Sequence, residues 1–327
     1  MDAVPTFPPA APLTGIARLA AESPQVRERA EVAYFSLPTR SVLNREASGR
    51  LPFAWTINPY RGCEFGCQYC YARYTHEFME LRDGLEFERK IYAKAGASEI
   101  LRAELRSARD QGLPIALGTA TDPYQPAESQ FGVTGRLLEV FAQLGGARLS
   151  ITTKSVLILR DIELLQAVAA RNSLRVHMTV TTTDARLARL LEPKAPPPAK
   201  RLQAVARLGE AGIYAGVNAM PILPGITDSR QSLGDLVRSA AAARAKFLHG
   251  SVLFLMPSAM KHFMPFLKRE FPRLAQRYLR LYARSAYLPQ DYKDRVTALL
   301  ALLRAQYELE EEAPPELPKQ AQLSLRF

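Results

Sequence analysis

The sequence predicts an α/β fold: a partial (β/α)6 barrel of the TIM type, with an N-terminal arm and a C-terminal helical extension. Three observations carry that prediction. From Pro52 onward, short β-rich apolar runs alternate with amphipathic stretches, a spacing that calls for parallel strands joined by right-handed crossovers. About six such units are present, fewer than the eight of a closed barrel. The first strand then runs into a cysteine loop, not into the glycine-rich turn that opens a doubly wound sheet.

The predicted strands are Phe53–Asn58, Ile115–Thr119, Leu149–Thr152, Leu174–Thr181, Ile213–Ala219 and Val252–Met256. Each is rich in β-branched or aromatic residues and bounded by polar or turn residues. Helical periodicity marks Ala72–Leu81, Ser98–Asp110, Thr134–Leu144, Arg160–Ala170, Lys200–Ala211 and Asp228–Ala245 between and after them. Three more helices are expected near Met260–Lys268, Pro272–Arg284 and Gln290–Tyr307. The chain thus divides into an extended arm (1–50), the barrel core (51–257), a basic helical extension (258–307) and an acidic, Pro-rich linker with a terminal peptide (308–327).

With 47% hydrophobic residues the chain can build a core without disulfides. Its three cysteines lie in one loop, which excludes a long-range disulfide and suits a reducing cytoplasm. The start lacks the basic and apolar regions of a signal peptide, and no apolar run is long enough to span a membrane. The formal charge is +11, concentrated between Lys261 and Arg304, where ten lysines and arginines face three acids. Such an excess attracts polyanions. Arg273, Arg277, Arg280 and Arg284 follow one helical stripe, with Leu274, Tyr278 and Leu281 as the neighbouring apolar stripe.

The most informative stretch is Cys63-Glu-Phe-Gly-Cys67-Gln-Tyr-Cys70. Iron–sulfur electron carriers use four cysteines per cluster. Three thiolates spaced C-x3-C-x2-C hold three irons of a cubane and leave the fourth open to a ligand. A zinc site of Cys63, Cys67, Cys70 and His76 is the metal alternative.

The run Asn58-Pro-Tyr-Arg-Gly-Cys63 through Tyr71-Ala-Arg73 resembles the radical SAM superfamily, and within it the group related to spore photoproduct lyase. Further matching stretches are Gly118-Thr-Ala-Thr-Asp-Pro-Tyr-Gln-Pro-Ala-Glu128, Thr152-Thr-Lys-Ser155, Thr179-Val-Thr-Thr182, Leu191-Glu-Pro193 and Pro221-Ile-Leu-Pro-Gly-Ile-Thr-Asp228. The resemblance implies a [4Fe–4S] cluster on Cys63, Cys67 and Cys70, and S-adenosylmethionine chelating the open iron. An electron from an external donor then cleaves the cofactor to a 5′-deoxyadenosyl radical, which takes hydrogen from a substrate. In this reading Tyr69 lies against the adenine edge. Thr121 and Asp122 hydrogen-bond the cofactor, Lys154 meets its carboxylate, and Thr179 lies near its amino end. Pro224 and Gly225 let the backbone approach the adenosine.

One departure stands out. A lyase of that group calls for an extra cysteine near the second strand, where this chain has Thr119-Ala-Thr121. A tyrosine such as Tyr60, Tyr71 or Tyr124 could replace it as hydrogen donor. The preferred substrate is a nucleic acid, in a repair or modification context. The rival reading is a non-catalytic Fe–S protein that binds DNA or the sliding clamp. The chain ends Gln322-Leu323-Ser-Leu325-Arg-Phe327, which resembles the peptide by which bacterial polymerases and repair proteins dock on that clamp.

Overall fold

The computed structural model describes residues 12–49, 51–81, 83–107, 112, 114–309 and 315–318. In chain order its strands are β1 (Gln25–Arg29), β2 (Val32–Pro38), β3 (Asn44–Arg45), β4 (Trp55–Ile57), β5 (Tyr60–Arg61) and β6 (Lys90–Ala95). They continue with β7 (Pro114–Leu117), β8 (Arg148–Thr153), β9 (Ser173–Thr179), β10 (Ala215–Ile222) and β11 (Leu248–Val252).

Seven strands form the main sheet in the order β11-β10-β9-β8-β7-β4-β3. From β4 to β11 neighbours are parallel, and only β3 is antiparallel. Among the described residues β11 and β3 do not pair, so the (β/α)6 barrel stays open along one side.

Register divides the sheet into two faces, because parallel partners point the same way and successive residues alternate. Thr152, His177 and Gly216 lie in one row, and Thr179, Asn218 and His249 in the next. The opposite face carries Leu149, Ile151, Leu174, Val176, Met178, Val217 and Ala219, all buried. That face meets the helices: a Cβ at Gly250, in register with Ala219, would lie 2.6 Å from Leu300 of the helix Gln290–Gln306. The barrel therefore has an apolar jacket and a polar lumen.

Three expectations need correction. The N-terminal region is not an extended arm. A helix, Gly15–Glu22, precedes the β1–β2 hairpin, and β2 pairs in parallel with β6 to build a four-stranded sheet, β1-β2-β6-β5. Tyr34 and Leu37 of β2 are buried there. The last barrel strand is β11, four residues earlier than predicted. Residues 253–256 instead run beside the 285–288 segment, where the Leu255 amide donates to the Ala286 carbonyl at 2.9 Å. The long helix expected after the cysteines shrinks to a 3-10 turn, Tyr71–Arg73, and one α turn, Tyr74–Glu77.

Within the acidic segment, Leu309 is buried and the Ser173 hydroxyl donates to the Pro315 carbonyl. The terminal peptide Gln322–Phe327 lies outside the described residues. No helix among the described residues is long and apolar enough to cross a membrane.

Candidate metal-cluster and cofactor site

The cysteine loop follows β5 at the C-terminal end of the barrel strands. Two glycines shape it. Gly62 and Gly66 have φ of +84° and +64°, which favours glycine. A Cβ at Gly62 would sit 2.7 Å from the Lys90 carbonyl oxygen, and one at Gly66 would sit 2.8 Å from Glu88 Oε2. Arg73, buried and paired with Glu88, donates to the Cys67 carbonyl at 3.0 Å. The Gln68 amide donates to Leu191 O at 2.9 Å.

The block Gly118–Glu128 is the seat of this loop. Thr121 Oγ1 donates to Gly62 O at 2.6 Å and Gln125 Nε2 to the same oxygen at 3.0 Å. Gln125 Oε1 accepts from the Glu64 amide, and Glu64 Oε1 accepts from Ala127 N at 2.8 Å. Asp122 joins the loop after β7 to the end of β8. It accepts from Thr153 Oγ1 at 2.6 Å, Lys154 N at 2.7 Å and Tyr124 N at 2.9 Å. Thr121 and Asp122, expected as cofactor ligands, thus hold protein to protein.

The floor of the site is a buried charge network that sequence reasoning missed. Glu192 accepts from the Tyr69 hydroxyl, from Thr181 Oγ1 at 2.9 Å and from Arg201 Nη2 at 2.5 Å; Lys154 Nζ lies 4.0 Å away. Arg201 also donates to Pro196 O at 2.7 Å and Thr179 O at 3.1 Å. Burial alone would raise the Glu192 pKa, but Arg201 and Lys154 outweigh it and hold the carboxylate below its usual range. Burial opposes the charge on Lys154, yet Cys67 and Glu192 prevail and raise its pKa. Lys154 Nζ also lies 5.8 Å from the Tyr69 ring centroid. Tyr69, expected against an adenine edge, is buried with its hydroxyl committed to Glu192 and Thr181.

Gly225 is exposed, and a Cβ there would lie 3.0 Å from Leu274 and 3.3 Å from Arg277 Nη1. Its close neighbour is the helix Pro272–Leu281. On that helix Ala275 and Tyr278 are buried, with Tyr282 just beyond, while Leu274 and Leu281 are half-buried. Arg273, Arg277 and Arg280 are exposed on it, and Arg284 is exposed in the following loop. Tyr60 and Tyr124 are fully buried, whereas Tyr71 is exposed.

The donor set fits an iron–sulfur cluster. Cys67 is a buried thiol and Cys63 a half-buried one; burial pushes Cys67 up to about 12, with Lys154 working against it, and raises Cys63 as well. Thiolates in such a setting need a positive partner, which cluster irons supply. His76 does not belong to the set. Its Nε2 lies 3.1 Å from Lys90 O and its ring packs on Phe87 and Tyr92. Among the described residues no three His, Cys, Asp or Glu side chains converge on a single ion, as a zinc site would require. The lumen beside Lys154 fits a polar cofactor. Thr179 stands in register with Asn218, whose buried Oδ1 has no hydrogen-bond partner among the described residues, an uncommon state that a ligand donor would relieve.

A three-thiol loop at the strand ends of an open (β/α)6 barrel defines a class of cluster-bearing barrel enzymes. The Radical SAM superfamily model matches residues 57–237, and the chain belongs to that superfamily. An uncharacterized protein of Mycobacterium tuberculosis is 35% identical over 289 residues, covering 87% of this chain and 85% of that protein. One of Methanocaldococcus jannaschii is 30% identical over 185 residues, covering 55% and 65%. Among solved structures, a spore photoproduct lyase variant with bound AdoMet and dinucleoside spore photoproduct aligns with a TM-score of 0.61. It covers 83% of this chain and 78% of that chain at 13% identity, so the likeness is one of fold.

Proposed function

We propose that this radical SAM enzyme holds a [4Fe–4S] cluster on Cys63, Cys67 and Cys70 and acts on a nucleic acid. Within the superfamily, an iron–sulfur cluster cleaves S-adenosylmethionine reductively and thereby supplies a radical to the substrate. The residues of this chain bind and orient. Lys154 offers a partly exposed ammonium beside Cys67, suited to a carboxylate. Glu192 and Arg201 fix the ground beneath it, and Thr179 and Asn218 line the adjoining lumen wall.

The observation that carries the substrate class is the arginine set at the rim. Arg273, Arg277, Arg280 and Arg284 are exposed, and none makes an ion pair or hydrogen bond among the described residues. Exposed, uncompensated guanidinium groups suit phosphates. The dinucleoside bound by the fold neighbour supports the same reading. All three cysteines lie in the cluster loop, so no further thiol among these 327 residues stands ready to return hydrogen to a product.

The test is anaerobic turnover with an external reductant, S-adenosylmethionine and an oligonucleotide deuterated in its sugars and bases. Label in 5′-deoxyadenosine supports the proposal. Efficient cofactor cleavage without label, combined with transfer from a labelled peptide, contradicts it. Docking on the sliding clamp through Gln322, Leu323, Leu325 and Phe327 belongs to the same proposal. Removing Gln322–Phe327 is expected to abolish clamp pull-down, and retained binding would contradict that docking.

A further inference from the structure

Three aromatic rings touch in series in the loops that follow the cysteines and β11. Tyr71 directly follows the third cysteine, and its hydroxyl donates to the Thr119 carbonyl in the loop after β7. Its ring meets Phe254 edge-on, with centroids 6.1 Å apart. Phe254 follows the end of β11, and its centroid is 4.6 Å from that of Tyr287. The run thus joins the cluster loop and the loop after β7 to the loop after β11.

These rings are held in place, with Tyr71 and Tyr287 exposed and Phe254 half-buried between them. Tyr71 is 38% and Tyr287 47% exposed. The Tyr287 segment is pinned by the Leu255 to Ala286 hydrogen bond at 2.9 Å and by the Tyr282 hydroxyl on Leu253 O at 2.7 Å. A ring fixed by the fold binds a flat partner with little loss of side-chain freedom. Arg284 is three residues from Tyr287, and Arg277 lies against Gly225 in the loop after β10. The same rim therefore carries exposed rings and unpaired guanidinium groups.

We propose that Tyr71, Phe254 and Tyr287 form a stacking platform for unpaired bases of a single nucleic-acid strand, with Arg277, Arg280 and Arg284 taking its phosphates. This inference rests on the nucleic-acid reading above. Charge complementarity selects the occupant: aromatic faces alone accept an apolar peptide, but the adjacent cations favour a polyanion that also presents flat rings. A duplex hides the faces of its bases, so the platform receives a single strand or a base turned out of the stack.

The test uses the full-length, cluster-loaded protein and a single-stranded DNA probe carrying 2-aminopurine, titrated at several salt concentrations. Tyr287→Ala is expected to weaken binding roughly 5- to 100-fold and to remove the quenching of the probe, while leaving the salt slope unchanged. Tyr287→Phe retains both. Arg280→Ala with Arg284→Ala lowers the salt slope by about 1.4 and keeps the quenching of bound probe. Unchanged affinity and quenching in Tyr287→Ala, beside a loss in the arginine variant, would overturn the platform and leave the nucleic-acid reading standing. Equal affinity for a blunt duplex would also overturn it. Failure of the intact protein to bind any oligonucleotide at low salt would overturn both.

Discussion

Arg201 and Arg277 both stand near the C-terminal ends of the barrel strands, and they do opposite work. Arg201 is 1% exposed and locked to Glu192, Pro196 O and Thr179 O. Arg277 is exposed and makes no ion pair among the described residues. A buried charge is tolerated only when its partners are complete; once complete, they fix geometry. An exposed charge costs little to leave unpaired and remains available to a ligand. The floor of the site is therefore pre-organised by charge, and the rim is left to attract by it.

The sharpest way to break that contrast is to remove one floor partner. Glu192→Ala leaves Arg201 buried and unpaired, and is expected to cost ~3–5 kcal/mol in chemical denaturation. Glu192→Leu with Arg201→Met should recover much of that stability while Lys154 loses its anchor. A single variant as stable as the parent would remove the floor from the account.

His76 extends the buried side of the contrast to pH. Burial holds its pKa at about 4 against an ordinary 6.5, so the unfolded chain takes up a proton first as pH falls. Stability contributed by neutral His76 is complete above pH 6.5 and is lost as pH drops toward 4, by ~3 kcal/mol at about 1.4 kcal/mol per unit. Denaturation curves of the parent and His76→Phe should converge in slope with pH above that window and differ within it. Parallel curves throughout would contradict the assignment.

Gly62→Ala probes the loop backbone. Its positive φ and the Lys90 carbonyl at 2.7 Å from the added carbon predict a loss of roughly 1–3 kcal/mol and weaker iron retention after reconstitution. Normal iron content and stability would show that the loop shape is less constrained. The smallest expected effect lies at the rim. Arg277→Ala should change stability by less than about 0.5 kcal/mol, yet lower the salt slope of nucleic-acid binding by about 1.

What could be read from sequence follows the same division. The barrel strands with β-rich runs were legible, because burial on both faces of a parallel sheet demands such runs. The β1–β2 hairpin was not, since all five residues of β1 are exposed and Gln25-Val-Arg-Glu-Arg29 carries no alternation. β11 was misplaced because Leu253 and Leu255 are as buried as strand residues, although they sit beside another loop. The three cysteines announced themselves by spacing. Arg201 did so only faintly: with Ala204, Val205 and Leu208 it occupies the buried stripe of the helix Pro198–Glu210, a pattern that marks a charged residue as interior. Glu192 sat in a matched motif without a role, because its partners come from residues distant in the chain. Thr121 and Asp122 were singled out correctly as polar strand-end residues, but only the fold reveals that Gly62 and Thr153 take up their hydrogen bonds.

The central claim is that the loop Cys63–Cys70 builds the cluster on which the enzyme's chemistry depends. Anaerobic reconstitution followed by reduction with S-adenosylmethionine present tests it most directly, with Cys67→Ala beside the parent. The parent should yield 5′-deoxyadenosine, and the variant neither a full iron complement nor cofactor cleavage. A fully loaded parent that leaves the cofactor intact, or a Cys67→Ala variant that cleaves it at the parent's rate, would contradict the account.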